Sequence, residues 1–300
     1  MSVISNRIKS PFSDRIFRAI IYILITFFTA VILFPLLNII ATSFSSYSAV
    51  ISGKVWIWPS EIQFETYRAV FQSKSIFIGY RNTLIYTVLG TIINMLVTIC
   101  AAYPLSFSDL KGKSTISGIF AFTMLFSGGM IPSYMVVNGL GMIDTIWAML
   151  LPGALSVWNM VIMRTFFQSS IPRELYDAAL IDGSSDFRYL LSVVLPLSGS
   201  IIAVIALYYA VGHWNSYFSG MLYLNSKDKY PLQIFLREIL LLGSMDTEIA
   251  GSMDYDLYAQ GASELIKYAV IIVSTLPMMV IYVFIQKFFV KGVMIGAIKG

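Results

Sequence analysis

The stretch AIIYILITFFTAVILFPLLNIIATSFSSYSAVISG, residues 19–53, runs from Arg18 to Lys54 without a charged side chain. Its apolar part, Ile20 to Ile40, is long enough to cross a bilayer as a helix, for which about 20 residues suffice. Thr26, Thr29 and Asn38 do not spoil it. Five further charge-free runs follow: Arg81 to Asp109, Lys113 to Asp144, Asp144 to Arg164, Arg188 to Lys227 and Lys267 to Lys287. The two shortest hold 19 residues each. As helices they reach about 28 Å, close to a hydrocarbon core of roughly 30 Å. None shows the alternating polarity of a barrel strand, so helices are the form the bilayer allows. The expectation is an all-α membrane protein with six transmembrane helices, at about 16–43, 82–107, 115–139, 146–167, 195–219 and 265–290.

Composition agrees. The 300 residues are 57% hydrophobic and 12% charged, against roughly 45–50% and about 25% in soluble domains. Basic Arg7, Lys9, Arg15 and Arg18 ahead of the first run imitate a signal peptide, but the apolar stretch exceeds the roughly 7–15 residues of a signal core. An uncleaved anchor is expected. The single cysteine, Cys100, has no internal partner, and the single histidine, His213, excludes a multi-histidine metal site.

The net charge of +4 and pI near 9.0 read as orientation rather than nucleic-acid binding. With the N-terminus inside, the inner segments hold Arg7, Lys9, Arg15, Arg18, Lys111, Lys113, Arg164, Arg173, Arg188, Lys287, Lys291 and Lys299, twelve of the twenty basic residues. The positive-inside rule then puts both termini in the cytoplasm. The organisation expected is a cytoplasmic segment 1–15, a transmembrane domain 16–290 and a cytoplasmic tail 291–300. Two large outer loops, about 44–81 and 220–264, accompany one large inner loop, 168–194.

That inner loop carries IPRELYDAALIDGSSDFRYLLSVVLPLS, residues 171–198. Pro172 suits a first helical turn, and Glu174 and Asp177 favour a helix N-terminal half. Ala178, Ala179 and Leu180 continue the helix with small side chains, and Gly183 can take the left-handed conformation that ends it. A second helical run follows from Phe187 to Val194, ahead of Pro196. An exposed compact helix of this kind suits insertion into a groove on a partner.

Asp177-Ala178-Ala179, Asp182-Gly183 and Leu195-Pro196 resemble the "EAA" signature of binding-protein-dependent ABC importer permeases, with Asp177 where the family usually has Glu. NTLIYTVLGT (82–91), AAYPLS (101–106), SGGMIPSY (127–134), GHWNSYF (212–218), PLQ (231–233) and the tail KGVMIGAIKG resemble its carbohydrate branch. The likeness is greatest to the smaller, six-span maltose G-type permease of the lipoprotein-linked, polysaccharide-uptake subgroup. The resemblance implies a type I importer permease fold in a bacterial cytoplasmic membrane. It implies a coupling helix at about 172–183 (Pro172, Glu174, Asp177, Ala178, Ala179, Asp182, Gly183) that docks into a cytoplasmic ATPase subunit. The implied partners are a second homologous permease, two ATPase copies, an external solute-binding protein and membrane lipids, with an oligosaccharide as cargo. ATP and Mg belong on the ATPase, and no cofactor is expected on this chain.

No motor of its own is visible. Gly112-Lys113-Ser114 imitates the end of a phosphate-binding loop, but Phe107 stands where its first Gly is required. The six runs contain no carboxylate, Lys or Arg, unlike carriers that couple to protons or sodium through intramembrane charges. No catalytic residue is expected.

For a sugar path, aromatic faces and neutral hydrogen-bonding groups are the relevant chemistry. Tyr209, His213 and Tyr217 repeat every four residues on a helical stripe, with Trp214 beside it. An aromatic belt at the membrane interface is the competing explanation. Asn94 is a further candidate, alternatively a helix–helix hydrogen bond. Phe126 to Pro132 marks a possible helix break. The outer loops carry Trp56, Trp58 and Pro59 in one and Asp246, Glu248, Asp254 and Asp256 in the other; the resemblance implies that the second contacts the binding protein, and the alternative for both is an interfacial cap. Alternatives are a permease for another small solute such as peptides, and a membrane scaffold without transport.

Overall fold

The structure, a computed structural model, describes residues 12–241 and 262–297. The basic leader residues Arg7 and Lys9, the acidic end of the second outer loop (Asp246, Glu248, Asp254, Asp256) and Lys299 lie outside the described residues. In chain order the helices are α1 (Phe12–Ser43), α2 (Tyr47–Ile51), α3 (Glu65–Gln72), α4 (Lys74–Ser106), α5 (Lys113–Leu125), α6 (Met130–Gly139), α7 (Ile146–Leu150) and α8 (Val157–Ser170). Then come α9 (Arg173–Ile181), α10 (Asp186–Tyr189), α11 (Leu195–Leu197), α12 (Gly199–Trp214), α13 (Tyr217–Tyr223), α14 (Leu232–Leu241) and α15 (Ala262–Ala297). A π-helical turn, Leu190–Val194, joins α10 to α11. The described residues contain no extended strand, only an isolated antiparallel bridge between Ser45 and Ile62. They fall into two compact units, 12–70 with 262–272 and 71–241 with 273–297.

In the first unit, α1 is apolar all round and exposes Phe17, Phe27, Phe28 and Ile32; Ala41, Thr42 and Ser43 at its end are buried. A helix without a polar face belongs in lipid. The chain after it folds back onto its C-terminal turn. Asn38 Nδ2 donates to Trp56 O at 2.7 Å, Ser60 N donates to Ser45 Oγ at 3.0 Å, and Gln63 Nε2 donates to Ser45 O at 3.1 Å. Phe44 stacks on Tyr67 with centroids 4.7 Å apart. Asn38, a polar residue in an expected span, therefore anchors the chain that follows α1.

The second unit is built around α4, which is inside out by soluble standards. Asn82, Tyr86, Gly90, Asn94, Thr98 and Ala102 recur every four residues and are all buried. Leu84, Val88, Ile92 and Leu96 on other faces are exposed. Small and polar residues face neighbouring helices while apolar ones face outward, the pattern expected where lipid is the solvent. The helix begins at Lys74, eight residues ahead of the expected span, because Ser73 caps it by accepting from Ile76 N at 3.4 Å.

Two of the expected spans are bent pairs. The third divides into α5 and α6, which meet at 112° across Phe126–Gly129, where a break was anticipated. The fifth turns by 85° between Leu197 and Gly199. The fourth, expected as one helix over 146–167, is instead α7 and α8 separated by residues 151–156. Pro152 has no N–H to donate and Gly153 (φ +78°) turns the chain left-handed, so the helix cannot run through. By length and apolarity alone, α1, α4 and residues 264–288 of α15 qualify as spans among the described residues, and up to five segments do if each bent pair is one.

The upper half of α4 holds the segment that follows α13. Asn82 Nδ2 donates to Asp228 O at 2.7 Å and to Tyr230 O at 3.0 Å, and Tyr86 Oη donates to Lys229 O at 2.7 Å. Leu232 N donates to Thr83 Oγ1 at 2.8 Å. From the α6–α7 turn, Asp144 accepts from Ser226 Oγ at 2.5 Å, from Lys229 Nζ at 2.9 Å, and from Asn225 N and Ser226 N at 3.0 Å each. These donors, the Ser226 hydroxyl foremost and Lys229 next, hold its carboxyl well below the usual carboxylate range. A carboxyl depressed on folding contributes fully above its ordinary value of about 3.9, and that contribution is lost as pH falls toward the depressed value. A nitroxide at Lys227 should thus be immobile from neutral pH to about pH 4 and gain mobility below it. Asp144→Asn should be mobile at neutral pH with a flattened profile; a variant as immobile as the parent with the same profile would contradict the clasp.

Candidate functional site

A cavity of about 460 Å³ opens where α4, the 151–156 break and α12 meet. The break creates the demand that shapes it. With the helix interrupted, the carbonyls of Gly153 and Ala154 lose their helical donors, and in an apolar surrounding they must be satisfied internally. Asn94, buried at 1% exposure, supplies both: its Nδ2 donates to Gly153 O at 3.0 Å and to Ala154 O at 2.9 Å. That fixes the amide orientation and leaves Oδ1 as an acceptor, 2.6 Å from His213 Nε2. An acceptor there requires the proton on Nε2, so His213 is assigned as donating through Nε2 to Asn94 Oδ1.

Two further contacts close the arrangement. Tyr209 Oη lies 2.7 Å from Thr98 Oγ1 and accepts from Ser156 N at 3.1 Å, so α12 satisfies another group freed by the break. The imidazole of His213 lies flat against Gly90, where a Cβ would fall 2.3 Å from Nε2. Glycine in NTLIYTVLGT and histidine in GHWNSYF are thus two halves of one close approach. Asn159, Tyr208, Asn215 and Ser219 also line the cavity, and the lining carries amides, hydroxyls, aromatic rings and one imidazole, with no carboxylate, Lys or Arg.

The structure brings Asn94, Tyr209 and His213 together and places the other two path candidates elsewhere. The four-residue stripe does not reach Tyr217, because α12 ends at Trp214 and the chain turns at Asn215, with Ser216 N donating to His213 O at 3.2 Å. Tyr217 borders a separate pocket on α13. Trp214 is buried in the opposite direction: its Nε1 donates to Ser274 O of α15 at 3.1 Å, and Tyr80 meets its ring edge-on. Asn215, one of the polar groups that the sequence places at the end of span five, also belongs to the cavity, whereas Ser156 and Asn159 escape sequence reasoning. The Pro152-Gly153 dipeptide is the available signal for those two.

The loop expected on the inner side folds as a helix, a glycine turn and a second helix. α9 follows Pro172 and includes Glu174, Asp177, Ala178 and Ala179. It ends at Asp182–Gly183, where Gly183 has φ +71° and donates its N–H to Leu180 O at 3.0 Å. Ser185 then caps α10 by accepting from Arg188 N at 3.3 Å. Glu174, Asp177, Ala178, Asp182 and Gly183 are exposed, Ala179 is half-buried against the core, and Ile181 and Phe187 stand out at 88% and 69% exposure. At its root, Arg173 pairs with Asp109 and donates to Ser108 Oγ at 2.6 Å. Arg173 holds the Asp109 carboxyl below its ordinary range. Tyr176 Oη donates to Asp186 Oδ1 at 2.9 Å, and Tyr103 Oη of α4 donates to Asp186 O at 3.0 Å. Tyr103, Phe107, Tyr176 and Tyr189 form a chain of ring contacts with centroids 4.8–5.2 Å apart. The loop is thereby seated on the lower end of α4 with an acidic and apolar surface free.

Replacing Asn94 by Leu removes the donors to two carbonyls and the acceptor for His213 while keeping much of the volume. Unpaired buried groups cost about 1–3 kcal/mol each, so the variant should melt at a clearly lower temperature in detergent. Melting unchanged from the parent would mean that the break is satisfied by other means.

The family model described as "Binding-protein-dependent transport system inner membrane component" matches residues 1–295. The polygalacturonan/rhamnogalacturonan transport system permease protein YtcP of Bacillus subtilis (strain 168) is 38% identical over 292 residues, covering 96% of this chain and 99% of that protein. Protein LplC of the same strain is 39% identical over 271 residues, 90% of each chain. Among solved structures, a chain of a bacterial ABC transporter involved in the import of the acidic polysaccharide alginate superposes with a TM-score of 0.86 at 33% identity, covering 93% of this chain and 99% of that one. The chain belongs to the inner-membrane component family of binding-protein-dependent transport systems, as a multi-pass permease of the type I ABC importer fold.

Proposed function

We propose that this permease passes oligosaccharides or polysaccharide fragments, acidic ones included, across the bacterial inner membrane by alternating access. The observation that carries the substrate class is the cavity at Asn94, Tyr209 and His213. Its amide, hydroxyl and aromatic lining matches what sugars present, hydroxyls around apolar C–H faces. Similarity to permeases named for polygalacturonan and rhamnogalacturonan, and to an alginate importer, points the same way.

In this reading the chain spans the membrane six times with both termini in the cytoplasm, and pairs with a second homologous permease around one path. Two copies of a cytoplasmic ATPase bind MgATP and receive the surface of Pro172, Glu174, Asp177, Ala178, Ala179, Asp182 and Gly183. A solute-binding protein delivers cargo at the two outer loops, about 44–81 and 220–264. ATP-driven closure of the ATPase pair draws the inner loops together, and the cavity changes the side on which it opens.

Gly183→Pro removes a donated N–H and forbids the positive φ, and Ala179→Trp overfills a half-buried position at the root of the loop. Both should abolish uptake while membrane insertion and sugar-independent assembly persist; normal uptake by both would remove the coupling role of 172–183. For the cargo, the reconstituted importer should hydrolyse ATP faster with oligosaccharide-loaded binding protein. Stimulation by peptides, with no response across an oligosaccharide panel, would overturn the substrate class.

A further inference from the structure

A second pocket, of about 310 Å³, lies on the other side of α13 and is bordered by Tyr217, Met221, Tyr230, Ile234, Arg237 and Glu238. We propose that it is an acidic-sugar subsite in which Arg237 takes the carboxylate of a uronate residue. The inference rests on the carbohydrate reading above and deepens it by naming the sugar chemistry.

Arg237 is held ready for such a ligand. Its guanidinium carbon sits 4.7 Å from the centroid of the Tyr217 ring, a cation–π stack that fixes the side chain without consuming its N–H donors. Its Nη1 meets the Met221 sulfur at 3.4 Å, and a thioether is a weak acceptor. Arg237 takes part in none of the ion pairs among the described residues, whereas Arg173, Lys229 and Lys267 each have a carboxylate. A planar guanidinium fork matches a carboxylate in bidentate fashion.

The surroundings select a sugar rather than a simple anion. Tyr230, Ile234 and Met221 give apolar surface for the C–H face of a pyranose ring. The volume is at the small end for ligand pockets, room for one sugar unit. The contrast with the cavity at Asn94, which has no carboxylate, Lys or Arg, divides the labour: charge is read at Arg237, and the ring and hydroxyls are accommodated farther along. Gln233 Nε2 donates to Asn215 Oδ1 at 3.4 Å between the two regions.

The test uses the assembled importer, with partner permease and ATPases, in nanodiscs and without binding protein. Binding of trigalacturonate and of its carboxyl-reduced neutral counterpart is measured for the parent, Arg237→Gln and Arg237→Lys. Loss of a charge-assisted bidentate pair predicts that Arg237→Gln binds trigalacturonate weaker by on the order of tenfold or more, with the neutral sugar unaffected. Arg237→Lys, which keeps the charge and loses the fork, should fall between, and carries the test if the Gln variant fails to assemble. Unchanged trigalacturonate binding in both variants overturns the subsite and leaves the carbohydrate reading standing. Equal weakening of acidic and neutral sugars also overturns it, since Arg237 would then shape the pocket without reading charge. If no sugar binds the parent or stimulates its ATPase, the carbohydrate reading itself fails, and the subsite with it.

Discussion

The two hydrogen bonds from Asn94 to the carbonyls of Gly153 and Ala154 are the interaction on which the rest of the second unit depends. A helix broken inside a membrane protein leaves backbone groups without their helical partners, and here side chains of α4 and α12 supply them. One amide satisfies two of them, and in doing so turns its oxygen toward His213 to accept from Nε2. Tyr209 takes the N–H of Ser156. The broken segment, α4 and α12 are locked together by groups that also line a cavity, so binding chemistry and structural repair use the same side chains. Glycine at 90 is the geometric condition, because a methyl group there would occupy the place of the imidazole.

The same helix extends this logic to both of its ends. Toward its start, Asn82, Thr83 and Tyr86 hold the 228–232 segment by its backbone. Toward its end, Tyr103 reaches Asp186 and Phe107 packs against Tyr176 beneath α9 and α10. Close-packed interiors transmit displacement rather than absorb it. Under the proposed function, a push on α9 therefore has a stiff path along one face of α4 to the cavity floor. The exposed Asp109–Arg173 pair adds little stability at such a site; its value is positional, tying the first turn of α9 to the α4–α5 turn.

Much of this was legible in the chain because charge and glycine report on the environment directly. The run from Arg18 to Lys54 is a helix through Ser43, the Gly183 turn has the positive φ that its place after Ala178-Ala179 suggested, and the Gly128-Gly129 break is where the helix bends. What stayed hidden depends on contacts remote in sequence. A polar residue in a span announces a partner without naming it: Asn82 meets residues 146 and 148 positions away, and Asn94 meets carbonyls 59 and 60 positions away. The absence of charge from 145 to 163 masked the helix break at Pro152, since charge patterning senses lipid and not helix continuity. The stripe through Tyr217 failed for a related reason, because a four-residue repeat holds only while the helix lasts, and α12 stops at Trp214.

The central claim is that an ATPase drives this permease from the cytoplasm through residues 172–183. A single cysteine placed at Ala178, with Cys100 replaced, tests it most directly in intact cells that express the complete importer. The account predicts that a membrane-impermeant maleimide added outside leaves this cysteine unlabelled, and that a short bifunctional crosslinker joins it to the ATPase subunit, with a yield that changes on ATP binding. Labelling from outside, or accessibility from the cytoplasm without any adduct to the ATPase, would contradict it.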